Sequence, residues 1–187
     1  FSAASGIHFS MEKTYSSVYR PSSLSEGVVL ELFELYSSYF GGTSLDLFKK
    51  DLSGKDYVGV IRDGQRVLRG FATVAVLETE YEGRKVRAIF SGDTLVHHDF
   101  WGEPTAITDW FEMVGGIKHE QPDVPLYWFL IVKGHRTYRL LHTFCREFIP
   151  NRAKPDSPYL QGLAHQLAEQ KFGKYYSRVT GLIDFGK

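Results

Sequence analysis

Apolar positions along the chain switch between a period of about 3.6 and a period of about 2, and the switches predict its elements. Between residues 26 and 40, Val28, Leu32, Leu35 and Tyr39 fall on one helical face, with Ser25 in the capping position and Gly41-Gly42 as the stop. SLDLFKKDL at 44–52 reads as a second, short helix capped by Ser44. The pattern then turns to strands. DYVGVIRD (56–63) is followed by a DGQ turn, RVLRGFATVAVLETEY (66–81) is long and rich in Val and Thr, and KVRAIFSGDTLVHH (85–98) follows an EGRK turn. Helical spacing returns at 105–120, with Ile107, Trp110, Phe111 and Val114 as the expected inner face. VPLYWFLIVKG (124–134) is a continuous apolar run, the pattern of a strand covered on both faces. A helix over 135–150 closed by Pro150 and another over 157–173 ended by Gly173 complete the chain's main elements.

Helix, helix, three strands, helix, strand, helix is the order of an α/β fold, with an antiparallel meander feeding a central crossover. Residues 12–23, rich in Tyr, Ser and Pro, read as irregular or as an edge strand. Residues 1–23 are therefore expected to be an irregular N-terminal segment or a tag remnant, and residues 24–187 a single domain.

Composition narrows the function classes. The 187 residues are 43% hydrophobic and 24% charged, ordinary values for a soluble globular protein. With 22 basic against 22 acidic residues, no net field argues for nucleic acid or an anionic membrane. No apolar run is long enough to span a bilayer. Cys145, the single cysteine, has no partner for an internal disulfide, so a reducing, cytoplasmic setting is expected. The 14 Phe and 11 Tyr suggest large apolar pockets or a heavily aromatic core.

The stretch TLVHHDFWGEPTAITDWF (94–111) carries the densest chemistry. A helix begins behind Pro104, and a helix N-terminus offers unpaired N–H groups and a partial positive charge to an anion. Gly102 permits a tight turn and close backbone approach, whereas Pro104 removes one donor. An anion cradle and a plain capped turn packed by Trp101 both fit these residues. His97, His98 and Asp99 are metal-ligand types, but neighbouring residues of a strand point to opposite faces, so no metal site is expected. FSGDT at 90–94 lacks a nucleophile elbow, and GGTS at 41–44 lacks the lysine and preceding strand of a phosphate loop. A Cys145–His142 nucleophile is the less favoured reading beside a core cysteine. Asp93 stands apart. It follows Gly92 in a strand expected to be central, where an unpaired carboxylate is costly and usually has a purpose or a partner.

The order of elements resembles the GCN5-related N-acetyltransferase (GNAT) fold over roughly residues 25–150. In that family the corner reads as Val, spacers, an aromatic, Arg or Gln, two spacers, Gly, a spacer, and Gly or Ala. Val96, Phe100, Trp101, Gly102, Glu103, Pro104, Thr105 and Ala106 fall in that register, with Trp101 in place of the Arg or Gln and Pro104 in place of the first glycine. The resemblance implies a GNAT-like mixed sheet flanked by helices. It also implies acetyl-CoA or another acyl-CoA (or acyl-carrier protein) bound by Val96, Trp101, Gly102, Glu103, Thr105 and Ala106. Tyr138 lies near the place of the family's general acid, beside His135. Asp93, Glu80 and Glu78 lie on the meander as candidate bases. The expected activity is acyl transfer to an unidentified amine acceptor. The alternative is a GNAT-like module without catalysis that binds a ligand or a protein. A homodimer is left open.

Overall fold

The computed structural model describes residues 14–100, 105–132 and 135–186, with the side chains of 105–106 and 135–137 not described. Five strands form one sheet in the order β1-β2-β3-β4-β5: Tyr15–Tyr19, Tyr57–Arg62, Leu68–Tyr81, Arg84–Val96 and Leu126–Phe129. The helices, in sequence order, are α1 (Glu26–Tyr39), α2 (Leu45–Ser53), α3 (Thr105–Glu120), α4 (His135–Phe144) and α5 (Pro158–Phe172). A small hairpin of β6 (Tyr176–Ser177) and β7 (Leu182–Ile183) forms a second sheet. The expected mixed α/β architecture, with strands two to five adjacent in one sheet, is present. Of the two readings of residues 12–23, the edge strand holds for Tyr15–Tyr19, which pairs antiparallel with β2.

The described residues divide into two compact units: residues up to 75 with 92–120, and residues 76–91 with those from 121 onward. Strands β3 and β4 contribute to both.

In the first unit, both predicted helix starts are capped as the sequence suggests. The Ser25 hydroxyl accepts from the Val28 N–H and the Ser44 hydroxyl from the Leu47 N–H. Helices α1 and α2 bury Val29, Leu32, Phe48 and Leu52 against Val58, Val60, Phe71 and Leu95 of β2, β3 and β4. Tyr39, expected on the inner face of α1, is 38% exposed because the helix has run past this core by its last turn. Among the described side chains of α3 the buried ones are Met113 and Ile117, four apart, and Phe111 is exposed. A face centred on Met113 and Ile117 turns Phe111 outward, which corrects the expected inner face. The turn between β2 and β3 is organised by Asp63, whose Oδ1 accepts from the N–H groups of Gln65 and Val67 (both 2.9 Å) while Oδ2 takes Arg69 Nε at 2.7 Å. Burial opposes ionisation there, but these donors together hold the Asp63 carboxyl below its usual range.

In the second unit, β4 pairs in parallel with β5 over Arg87–Phe90 against Leu126–Phe129. Val86, Ala88, Leu163 and Leu167 form its core, with Tyr127, Phe129 and Tyr159 packed around them. The apolar run 124–134 gives only this four-residue strand, and its residues are half-buried, not covered on both faces. Helix α4 ends at Phe144, six residues before the expected stop at Pro150.

Because Leu32 is fully buried in the first core and Leu30, one turn-face away on the same helix, is 39% exposed, the two positions should respond differently. Leu32→Ala should cost about 2–5 kcal/mol of stability, and Leu30→Ala should stay within about 0.5 kcal/mol, as read by urea denaturation. Equal costs would contradict the assigned packing of α1.

Candidate active site

Asp93 sits on β4 in the first unit, and three elements bring polar groups to it. Helix α2 supplies Asp51 and, just beyond its Gly54 cap, the chain supplies Lys55. The Lys55 side chain is only 5% exposed, and its ammonium lies 2.8 Å from Asp51 Oδ2. Helix α1 supplies Tyr36, whose ring packs on Phe48 and Phe40. Strand β3 supplies Thr73, a buried residue whose hydroxyl donates to the Asp93 carbonyl at 3.4 Å.

Gly92 makes the room. A Cβ there would lie 2.6 Å from Thr73 Oγ1 and 3.0 Å from the Lys55 ammonium. The requirement is space: a buried lysine reaches the strand only where the strand carries no side chain.

Burial is the main reason the Asp93 carboxyl is pushed above its usual range. Lys55 opposes the shift, while Asp51, close enough for a side-chain hydrogen bond, adds to it. The Tyr36 hydroxyl is also raised, by burial first and then by Asp93 and Asp51. Burial and Asp51 thus raise the proton affinity of Asp93, while Lys55 lowers it. Such a group accepts a proton more readily than a solvated carboxylate does, which is the property a general base needs.

The other expected site residues are placed as follows. Glu80 is in the second unit, exposed near the β3–β4 turn, and its carbonyl accepts from Gln166 Nε2 at 2.9 Å. Glu78, also exposed, pairs with Lys85 at 3.0 Å and Arg87 at 3.6 Å. Tyr138, on α4 in the second unit, donates its hydroxyl proton to the Pro150 carbonyl at 2.7 Å and packs edge-on against His142 and Phe148. His135 begins α4, its side chain outside the described residues. Val96 ends β4, and Thr105 and Ala106 open α3, their side chains undescribed. Trp101, Gly102, Glu103 and Pro104 lie outside the described residues.

Neither nucleophile reading gains support. Ser91 accepts from Trp128 Nε1 at 2.6 Å. Burial pushes the Cys145 thiol up, the opposite of what activation requires. Lys55, Asp51 and Tyr36 were missed by sequence reasoning. Only the costly Gly92-Asp93 pair in a central strand pointed to this place.

The fold itself has clear counterparts. A ribosomal-protein-alanine N-acetyltransferase from Brucella melitensis biovar Abortus 2308 superposes with a TM-score of 0.55 at 15% identity, over 78% of this chain and 100% of that one. An aminoglycoside acetyltransferase from an uncultured soil metagenomic sample, solved with sisomicin, gives 0.51 at 14% identity, over 78% and 95%. Glucosamine-6-phosphate N-acetyltransferase from Arabidopsis thaliana gives 0.52 at 12% identity, over 78% and 100%. The fold is that of the GCN5-related N-acetyltransferases, carried by a divergent sequence. No protein-family model and no curated protein sequence matches the chain. Among the described residues no helix is long and apolar enough to cross a membrane.

Two outcomes are expected at the site. Gly92→Ala should destabilise the protein, and by less in a Thr73→Ala background, because the nearest obstacle is then gone; a double-mutant cycle of denaturation energies reads the coupling. Additive costs would mean that Thr73 is not the obstacle. Asp93 is raised by folding, so the stability it contributes is full below the ordinary carboxylate pKa of about 4 and is lost as pH rises through its folded value. The melting temperature of Asp93→Asn should therefore gain on that of the wild type between pH 4 and pH 7. A mutant melting temperature that falls further behind the wild type over that range would refute the direction.

Proposed function

We propose that the protein is an acyltransferase of GNAT type, taking an acyl group from acetyl-CoA or another acyl-CoA to an amine acceptor. The observation that carries this reading is the half-buried Asp93 carboxyl on β4, grouped with Asp51 and the buried Lys55 ammonium. The fold shared with acetyltransferases acting on quite different acceptors supports the reaction class and leaves the acceptor open.

Acyl-CoA, when bound, supplies a thioester carbonyl activated toward nucleophiles. The start of α3 is the proposed place for its phosphates: the helix has 16 residues and no acidic residue in its first turn, and a helix N-terminus favours an anion. Val96 leads into this corner, and Trp101, Gly102, Glu103, Thr105 and Ala106 complete the proposed cofactor contacts.

An amine reaches a protein at neutral pH as an ammonium ion and must lose a proton before nitrogen has an electron pair to offer. Asp93 takes that proton, directly or through water, with Asp51 and Lys55 setting its basicity. As nitrogen bonds to the acyl carbon, the carbon–sulfur bond breaks and the electron pair leaves on sulfur. Tyr138 is the proposed donor of a proton to that thiolate. Glu80 is the second candidate base.

A binding module without catalysis is the competing reading. It is favoured by the Tyr138 proton being directed at the Pro150 carbonyl, so that protonating a thiolate would first require breaking that bond.

Thermal stabilisation by acetyl-CoA and turnover with a panel of amines separate the two. The acyltransferase reading expects Asp93→Asn and Tyr138→Phe to keep the acetyl-CoA shift while losing turnover by factors of about 10² to 10⁴, the usual contribution of acid–base groups. Stabilisation by acetyl-CoA without turnover of any amine would favour the module. Full activity in Asp93→Asn would remove Asp93 as the base.

A further inference from the structure

The alternation expected to separate His97 and His98 does not hold at the end of β4. The strand stops at Val96, and a single turn of 3-10 helix over His98–Phe100 swings the next residues back. The two imidazoles end up stacked, with centroids 4.3 Å apart, and the Asp99 carboxylate faces both. His97 Nδ1 is 3.4 Å from Asp99 Oδ2, and His98 Nε2 is 3.0 Å from Asp99 Oδ1. One donor atom from each of the three residues lies within 4.8 Å of the others.

We infer that His97, His98 and Asp99 form a binding site for a borderline divalent transition metal, Zn²⁺ being the natural occupant. Ligands around tetrahedral zinc, each at about 2.0–2.2 Å, stand about 3.4 Å apart; the imidazole–carboxylate edges here measure 3.4 Å to His97 and 3.0 Å to His98. Two imidazoles and a carboxylate select zinc and its first-row neighbours over magnesium or calcium, which prefer all-oxygen sites. Three protein ligands leave a fourth position for water or an exchangeable ligand.

Tyr39 gives an independent indication. Its hydroxyl accepts from the His98 backbone N–H at 3.0 Å and lies 3.5 Å from His98 Nδ1. A proton on Nδ1 donated to Tyr39 leaves the Nε2 lone pair facing the Asp99 carboxylate. Two acceptors at 3.0 Å need a cation or a second proton between them. An outer hydrogen bond that fixes tautomer and ring orientation is the usual support of a metal-ligating histidine. The Asp99 N–H donates to His97 Nδ1 at a long 3.4 Å, a bond that metal binding at that atom would replace. The His97 side chain is 27% exposed and the His98 and Asp99 side chains 64%, so the ion has open access.

Equilibrium dialysis against ZnCl₂, using the full chain without a histidine tag, tests this. One equivalent should bind saturably, with affinity at least 10-fold weaker in His98→Ala and in Asp99→Asn, and unchanged in His119→Ala, an exposed histidine on α3 outside the cluster. Tyr39→Phe, which removes only the hydroxyl, should weaken binding about 10-fold. Cobalt substitution should give the intense visible bands of a four-coordinate site in the wild type and lose them in His98→Ala. No saturable equivalent, or equal affinity in the wild type, His98→Ala and Asp99→Asn, would overturn the inference and leave a hydrogen-bonded imidazole–carboxylate cluster.

Discussion

The Lys55 ammonium is held inside the protein, against a strand that has no side chain at the point of contact. Its side chain is 5% exposed, and a Cβ on Gly92 would stand 3.0 Å from its nitrogen. Burying a cation is costly unless it is paired, and the pairing carboxylate comes from Asp51, four residues earlier at the end of α2. This one arrangement fixes where α2 ends, how α2 seats on the sheet, and what charge Asp93 meets on β4. The carboxyl that would perform chemistry is thus tuned by the same contacts that anchor a helix. Changes meant to alter reactivity there will also be felt in stability.

Much of the fold was legible because it rests on local rules. Ser25 and Ser44 sit where a helix needs a capping hydroxyl, and both do cap. The Glu82-Gly83 turn, with both residues at positive φ, closes the β3–β4 hairpin that the strand periodicity announced. What was not legible depends on contacts distant in sequence. The run 126–132 is apolar throughout, yet only Leu126–Phe129 finds a ladder partner, so composition overstated the strand. Lys55 lies in SGKD, which reads as a solvated loop; nothing in one dimension says that Gly92 has kept a place for it. His97 and His98 were separated by a rule that holds only while the strand continues, and the strand ends one residue earlier.

The candidate site was half legible for a related reason. A carboxylate after a glycine in a central strand is an anomaly that the hydrophobic pattern exposes without any knowledge of its neighbours, and Asp93 stood out that way. Its partners come from α1 and α2, elements about 40 to 60 residues earlier in the chain, and each is ordinary in its own segment. Tyr138 is a contrasting case. Its position near the start of a helix suggested an acid, while its partner, the Pro150 carbonyl, lies in a segment expected to be helix that is irregular instead.

Whether Asp93 is poised to accept a proton is the point on which the proposed chemistry turns. Carbon-detected NMR titration of the Asp93 carboxyl, assigned by its disappearance in Asp93→Asn, measures that directly. The expected midpoint lies above the ordinary carboxylate value of about 4, because burial and Asp51 outweigh Lys55. A midpoint at or below that value would mean that the Lys55 ammonium dominates, and that Asp93 is a structural anion and not a base.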